Sequence, residues 1–231
     1  MLKSWLSAFI HLIYPHNCEG CGTDILNEKS FLCTKCLFQL PQTGFISNAN
    51  NPIEKRLYGR VKVEEAGAAF YFTKDGLLQH LIGQLKYKNN REMGLYLGRL
   101  VGNQLKATHR FDGLEALIPL PLNERKLRVR GYNQSEIICE GIISVWPKAL
   151  ITDAVCRVID TATQTNKSLT DRWENIEGAF AIADATKIEG KHIALVDDII
   201  TTGASIESCG RELLKVKGVR LSVLCVGATN L

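Results

Sequence analysis

No apolar run in the 231 residues is long enough to cross a bilayer, and the chain shows no internal repeat and no low-complexity stretch. An integral membrane helix, a solenoid and a disordered linker protein are therefore excluded as readings of the whole. Charge of one sign is also missing. Lysine and arginine number 28 against 24 acids, a formal net charge of +4. That balance permits an anionic ligand or a nucleic acid and demands neither. The eight cysteines do not have the spacing of a disulfide-dense secreted domain. Cys139, Cys156, Cys209 and Cys225 sit singly in apolar surroundings, as small buried hydrophobes do. The opening Met1–Tyr14 superficially resembles a signal peptide, but Ser7 and His11 interrupt it, Pro15 ends it and no small-x-small site follows. Leu2, Trp5, Leu6, Phe9 and Ile13 recur at helical spacing, which predicts a short amphipathic helix packed on the protein, with a membrane-surface role as the alternative.

What is present divides in two. Residues 1–60 hold the first helix, a cysteine cluster and an Asn-, Pro- and Arg-containing stretch, 46–60, that reads as a linker. From 61 to 231 strands and helices alternate. Strands are expected at Ala66–Phe72, Ala116–Leu120, Val155–Ile159, Ala179–Ile182, His192–Val196 and Leu221–Val226. Helices are expected at Leu77–Tyr87, Met93–Ala107, Gln134–Val145 and Ala204–Lys217. This alternation predicts an α/β fold, a parallel sheet with helices on both faces. Ligands of such sheets bind beyond the carboxyl ends of the strands.

Cys18-x₂-Cys21-x₁₁-Cys33-x₂-Cys36 supplies four thiolates in two pairs, each pair able to point to one side of a tight turn. Two such pairs build a tetrahedral S₄ site suited to Zn²⁺. Four protein ligands leave no open position, so the metal would be structural. Two redox Cys-x-x-Cys pairs or an iron–sulfur cluster are the rivals, although no strand–Cys-x-x-Cys–helix context accompanies them. A module that merely folds around zinc and one that also docks a partner or nucleic acid both fit.

The most informative stretch is Ile193-Ala194-Leu195-Val196-Asp197-Asp198-Ile199-Ile200-Thr201-Thr202-Gly203-Ala204-Ser205. A buried strand delivers two adjacent carboxylates, and a Thr-Thr-Gly turn then opens a helix. Backbone N–H groups of Thr201 through Ser205, with the hydroxyls of Thr201, Thr202 and Ser205, can surround a phosphate, favoured by the helix dipole. Gly203 lets the main chain approach closely. Two acids beside a phosphate cradle need another partner, and ribose hydroxyls with Mg²⁺ supply it. A capped helix after a core strand, with both acids solvated, is the plainer alternative.

This stretch is similar to the 5-phosphoribosyl-1-pyrophosphate (PRPP) signature of type I phosphoribosyltransferases. Gln84-Leu85-Lys86-Tyr87-Lys88, Pro119-Leu120-Pro121-Leu122, Arg130-Gly131-Tyr132-Asn133-Gln134 and Arg172-x₂-Asn175-x₂-Gly178-Ala179-Phe180 further resemble the ComF competence-protein family, which joins a Cys₄ zinc finger to a phosphoribosyltransferase-like domain. The resemblance covers nearly the whole chain, excepting 1–15 and 46–64. It implies a type I phosphoribosyltransferase-like sheet and a PRPP site with Mg²⁺. Asp197 and Asp198 would hold the ribose. Thr201, Thr202, Gly203, Ala204 and Ser205 would hold the 5′-phosphate.

Pro121 and Leu122 would belong to the pyrophosphate loop, with Arg125 and Arg130 neutralising the leaving group; Lys86 and Lys88 either join them from a helix end or simply complement the helix dipole. A solvated or nucleic-acid-facing surface is the competing reading of Arg125, Lys126, Arg128 and Arg130. Asp160–Ile176, with Thr163, Gln164, Thr165 and Arg172, is expected to form a hood over bound ligand, a plain surface loop being the alternative, and Tyr132 is expected to pack in preference to stacking on ligand.

One departure stands out. Purine-salvage relatives carry an acid where this chain has Thr201, so 6-oxopurine salvage is disfavoured. No N-terminal catalytic cysteine or glutaminase domain is seen, and a description within the amidophosphoribosyltransferase group would rest on the PRPP half alone. Two functions follow: a phosphoribosyltransferase with an unidentified acceptor, or a non-enzymatic adaptor. The adaptor would bind PRPP, a nucleotide or single-stranded DNA, with competence proteins as partners. The resemblance places either one in the cytoplasm.

Overall fold

The computed structural model describes residues 17–24, 30–158 and 178–229. The helix expected over Met1–Tyr14 and the hood at Asp160–Ile176 lie outside the described residues. Among those described, no helix is long and apolar enough to cross a membrane.

The elements in chain order are α1 (Thr34–Gln39), α2 (Pro52–Leu57), β1 (Ala66–Phe72), α3 (Leu77–Tyr87), α4 (Arg91–Lys106), β2 (Ala116–Pro119), α5 (Glu124–Arg130) and α6 (Gln134–Ile143). They continue with β3 (Ala149–Leu150), β4 (Val155–Arg157), β5 (Phe180–Ile182), a 3₁₀ turn (Ala185–Lys187), β6 (His192–Ile200), α7 (Ala204–Leu213) and β7 (Arg220–Thr229). β1, β7, β6, β2 and β3 form, in that order, a five-stranded sheet whose pairings are all parallel. The expected α/β class is thereby observed. β4 and β5 stand apart as an antiparallel pair.

Alternation along β6 sends side chains to both faces. Ala194 and Val196 join a core with Leu81 and Leu85 of α3, Leu97 of α4 and Ile138 of α6. Ile193 and Leu195 join a second core with Ile53 and Leu57 of α2 and Ile206 and Leu213 of α7. Ile193–Val196 of β6 and Val223–Val226 of β7 are apolar because helices cover both faces.

Three expectations need correction. The stretch 46–60 is no free linker: Asn51 caps α2, Pro52 opens it, and Ile53 and Leu57 are fully buried. The strand from His192 does not stop before the acids but continues through them to Ile200. The arginine-rich stretch after Leu122 is not a loop but helix α5, capped by Asn123 and ended by Gly131 at φ +75°.

The chain between the cysteine cluster and α2 also bounds the sheet. Thr43 N–H donates to the Ala69 carbonyl (3.1 Å) and Tyr71 N–H to the Pro41 carbonyl (2.7 Å), so 41–43 runs antiparallel along the outer side of β1.

Helices α4 and α6 cross at glycine. A Cβ on Gly98 would lie 2.2 Å from the Ile138 carbonyl oxygen and 2.8 Å from the Gly141 Cα. Neither backbone can yield without separating the helices. Gly98→Ala is expected to destabilise by about 1–3 kcal/mol or more through overpacking. Urea titration checks this, with a lower midpoint at unchanged slope as the expected result.

Candidate functional site

β2 and β6 are neighbours whose onward connections diverge. From β2 the chain passes through α6 to β3 at one sheet edge, and from β6 through α7 to β7 on the other side. A crevice opens between strands at such a point, outside their carboxyl ends. The two acids and the Thr-Thr-Gly turn lie there.

Asp198 is buried and ion-paired, with Lys86 Nζ 2.7 Å from its Oδ2. Lys86 lies in the last turn of α3, so that helix brings its ammonium to the carboxyl end of β6. Half-buried Asp197 accepts hydrogen bonds at Oδ1 from the Asp198 N–H (2.8 Å) and the Ser135 hydroxyl (3.2 Å). Its pKa is pushed up to about 7, first by burial and then by the adjacent Asp198 carboxylate. The site thus holds a carboxyl group poised between charge states near neutrality, next to an ion-paired carboxylate.

Beyond Ile200 the chain turns into α7. Thr201 and Thr202 are exposed, Gly203 is buried, and Ala204 and Ser205 are half-buried. Gly203 sits at φ +78°, a left-handed conformation that a side chain would strain, and caps α7 without a side-chain hydrogen bond. The start of α7 is therefore lined by main chain and not by a capping side chain.

Not every residue expected at the site converges on it. Pro121 and Leu122 are half-buried beyond the end of β2. Asn133 Nδ2 holds the Leu120 carbonyl (3.0 Å) at the same place. Arg125 is exposed on α5, and Arg130 lies over the Tyr87 ring, 5.7 Å from its centroid. Lys126 is exposed on α5 and feels the same charges. Burial first, then Arg130, Arg157 and Lys86, lowers its pKa, and Asp198 opposes them. Tyr132 is buried and donates to the Leu85 carbonyl, a packing role as expected. Lys88 follows α3 as an exposed cap residue. Sequence reasoning missed Ser135, the hydroxyl on Asp197. Its position just inside the Asn133-capped start of α6 offered only a helix-start signal.

The cysteine cluster packs against α3. The Sγ atoms of Cys18, Cys21, Cys33 and Cys36 all lie within 4.8 Å of one another, and Cys21 and Cys33 are 3.7 Å apart. A tetrahedral zinc with sulfur ligands at about 2.3 Å needs sulfurs about 3.8 Å apart. The donor set fits that metal. Backbone N–H groups of Cys33 (3.2 Å) and Gly20 (3.4 Å) point at Cys18 Sγ, a pattern that favours thiolate. Cys36 is pushed up to about 12 by burial and by the crowding of the other thiols. A shared dication relieves such crowding.

The cluster is not a free appendage. Cys18, Leu32 and Cys36 are buried in the core that includes Leu81 and Leu85 of α3. A Cβ on Gly20 would meet Cys36 Sγ and Leu77 Cδ1, each at 2.9 Å. Gln84, one turn before Lys88, donates to Glu19 Oε2 at 2.5 Å.

No family model matches the chain. Competence protein F of Haemophilus influenzae is 32% identical over 212 residues, 88% of this chain and 93% of that protein. DNA utilization protein YhgH of Escherichia coli K12 is 30% identical over 155 residues, 66% of this chain and 67% of that protein. Competence protein ComFC of Bacillus subtilis is 30% identical over 107 residues, 46% of this chain and 41% of that protein. Among solved structures, the allosteric regulatory enzyme of purine biosynthesis aligns with a TM-score of 0.40 and 12% identity, over 62% of this chain and 30% of that one.

Proposed function

This chain belongs to the ComF competence-protein family, and on that premise we propose that it binds PRPP with Mg²⁺ and transfers 5-phosphoribose to an acceptor, releasing pyrophosphate. The observation that carries the reading is the pair Asp197–Asp198 on β6 beside a glycine turn that opens α7, with Lys86 2.7 Å from Asp198. Carboxylates accept from the 2′- and 3′-hydroxyls of the ribose. Main-chain N–H groups of Thr201 through Ser205 hold the 5′-phosphate. Lys86 and Lys126 bring positive charge toward the pyrophosphate, with Arg125 and Arg130 on the same helix as Lys126.

Mg²⁺ is commonly held by one or two carboxylates plus substrate phosphates, which suits Asp197 and Asp198, and when bound it neutralises charge on the leaving group. In the reaction a nucleophile's electron pair forms a bond to C1′ while the C1′–oxygen bond breaks. Both electrons of the broken bond leave with pyrophosphate. Most of the rate then comes from positioning and charge stabilisation. Lys86, released from Asp198 by ligand, is placed to follow the negative charge.

Zinc in the Cys₄ cluster would be structural. Residues 1–60 would form the zinc-finger portion and 61–231 the phosphoribosyltransferase-like domain. The relatives are named for competence and DNA utilization, which supports a role in DNA handling, and a thiolate metal site suits a reducing cytoplasm.

Calorimetry with PRPP and Mg²⁺ tests the reading, followed by pyrophosphate release across a panel of amines and bases. Saturable binding that needs Mg²⁺ is expected. Absence of binding by the zinc-loaded protein would remove the proposal.

A second reading is favoured by one surface. α5 buries no residue, and it presents Arg125, Lys126 and Arg128 beside Tyr87, whose ring is 80% exposed under Arg130. Basic residues interleaved with an open aromatic suit a single strand, which stacks bases and releases counterions. On this reading the protein is a DNA-binding adaptor that uses PRPP as a cue. Steeply salt-dependent single-strand binding without pyrophosphate release from any acceptor would select it.

A further inference from the structure

The turn that would hold the 5′-phosphate does not stand alone. α2, from the stretch that reads in sequence as a linker, lies directly behind it. Arg56 donates from Nη1 to the Thr201 carbonyl, and Arg60 donates from Nη1 to the Thr202 carbonyl at 2.8 Å. Arg60 also grips the first turn of α7, with Nε 2.9 Å and Nη2 2.6 Å from Glu207 Oε2. Arg211 completes the group, donating to Glu207 Oε1 (2.7 Å) and to the Arg60 carbonyl (3.1 Å). A Cβ on Gly203 would lie 3.3 Å from Leu57 Cδ2 and 3.8 Å from Arg60 Nη1, so turn and helix are nearly in contact.

The platform itself is fixed. Asn51 Nδ2 donates to the carbonyls of Phe45 (3.1 Å), Asn48 (3.0 Å) and Ala66 (2.7 Å). Its Oδ1 caps the N–H of Ile53 at 2.9 Å. Glu54 accepts from the Ala66 N–H (3.1 Å) and pairs with Arg110. Arg56 therefore projects from a helix tied both to β1 and to the core, and Arg60 from the turn that directly follows it.

A trans peptide is planar, with its C=O and the following N–H pointing in opposite directions. Pinning the Thr201 and Thr202 carbonyls toward α2 turns the N–H groups of Thr202 and Gly203 away from it. Among the described residues, neither N–H donates a hydrogen bond. Preset donors of this kind need no reorganisation when an anion arrives.

Resting on the PRPP reading above, we propose that Arg56 and Arg60 are positioning residues of the phosphate turn. They hold the carbonyls of Thr201 and Thr202 on the far side so that the amides of Thr202 and Gly203 face the 5′-phosphate. They touch the turn and not the ligand. The class of ligand they serve is a phosphomonoester on a sugar, not the pyrophosphate at the other end of the site.

That division gives the test. The zinc-loaded full chain and its Arg56→Gln/Arg60→Gln variant are titrated with two probes, ribose 5-phosphate and Mg²⁺-pyrophosphate. Circular dichroism and thermal melts run in parallel. The variant is expected to lose roughly tenfold or more in affinity for ribose 5-phosphate, the scale of one or two oriented hydrogen bonds, and to keep its affinity for pyrophosphate. Unchanged ribose 5-phosphate affinity in a folded variant overturns the proposal. So does an equal loss for both probes, which a general loosening of the fold produces. If the double variant does not fold, Arg60→Lys and Glu207→Gln are measured in the same way. Arg60→Lys removes the two-point hold of Nε and Nη2 on Glu207 Oε2 and Glu207→Gln removes the charge that anchors Arg60, and the same split between probes decides. Failure of the PRPP reading looks different: the unmodified protein itself then binds neither ribose 5-phosphate nor PRPP.

Discussion

Cys36→Ser, or chelation of the zinc-loaded protein, is expected to lower the thermal midpoint by roughly 10 °C or more, following a loss of about 3–5 kcal/mol. Zinc-finger peptides gain more than this from the metal, about 10–16 kcal/mol, but here neighbouring elements support the fold as well. The size of the effect follows from where the ligands sit. Cys18 and Cys36 are 2% and 3% exposed, in one core with Leu81 and Leu85 of α3. Without metal, four thiols remain in a space shaped for four thiolates and a dication. Two of them are then polar groups in an apolar core.

The loss should spread to the ligand site because α3 is common to both. Its Gln84 meets Glu19 beside Cys18, and two residues later Lys86 reaches Asp198. Zinc release read with a metallochromic dye, alongside melts and PRPP calorimetry, checks the chain of effects. A chelated protein that melts at the original temperature would show that the cluster carries no structural metal.

Asp198→Asn is expected to weaken Mg²⁺–PRPP binding roughly 10- to 100-fold, the scale of one to two hydrogen bonds to a charged acceptor. The Asn also leaves the Lys86 ammonium without its carboxylate partner in the free protein, so some stability is lost too. Asp197→Asn should weaken binding on the same scale, with an additional signature in pH. Asp197 ionises near 7 in the folded chain, against an ordinary value of about 4.

If ribose and Mg²⁺ take the ionised form, affinity rises from pH 6 to pH 8 and binding releases protons. Calorimetry in buffers of different ionisation enthalpy detects them. The folded value lies above the unfolded one, so ionising Asp197 costs the native state. Its contribution therefore lowers stability as pH rises from about 4 to about 7 and is constant beyond. Asp197→Asn should flatten that trend while abolishing the proton release. A flat affinity profile in the unmodified protein would assign the shifted carboxyl no part in binding.

Much of this was legible in the sequence where burial imposes a period. Ala66–Phe72 and Leu77–Tyr87 fold with the bounds expected, because their apolar positions follow the strand and helix repeats of a covered sheet. The failures fall where the buried face is narrow or absent. α5 carries a full set of end signals: Asn123 as cap, Glu124 in its first turn, Arg128 and Arg130 in its last, and Gly131 after it. It buries nothing, so no apolar stripe announced it.

α2 is six residues long, too short for a period, and its Asn51-Pro52 start resembles a loop as readily as a helix cap. The same limit hid the clamp on the phosphate turn. Arg56 and Thr201 are separated by 145 residues, and only the fold brings them together. The acids and the glycine turn were legible because their chemistry is contiguous in the chain. The partners that set their charge, Lys86 and Ser135, reach them from two other helices.

The strand of chain at 41–43 carries a last consequence. β1 would otherwise end the sheet with a row of open N–H and C=O groups, and residues just after the cysteine cluster cover part of that row. An uncovered, apolar strand edge is a template for pairing with another molecule. Zinc loss would free the segment that shields it. The metal-free protein should then leave solution as aggregate at temperatures where its sheet is still formed.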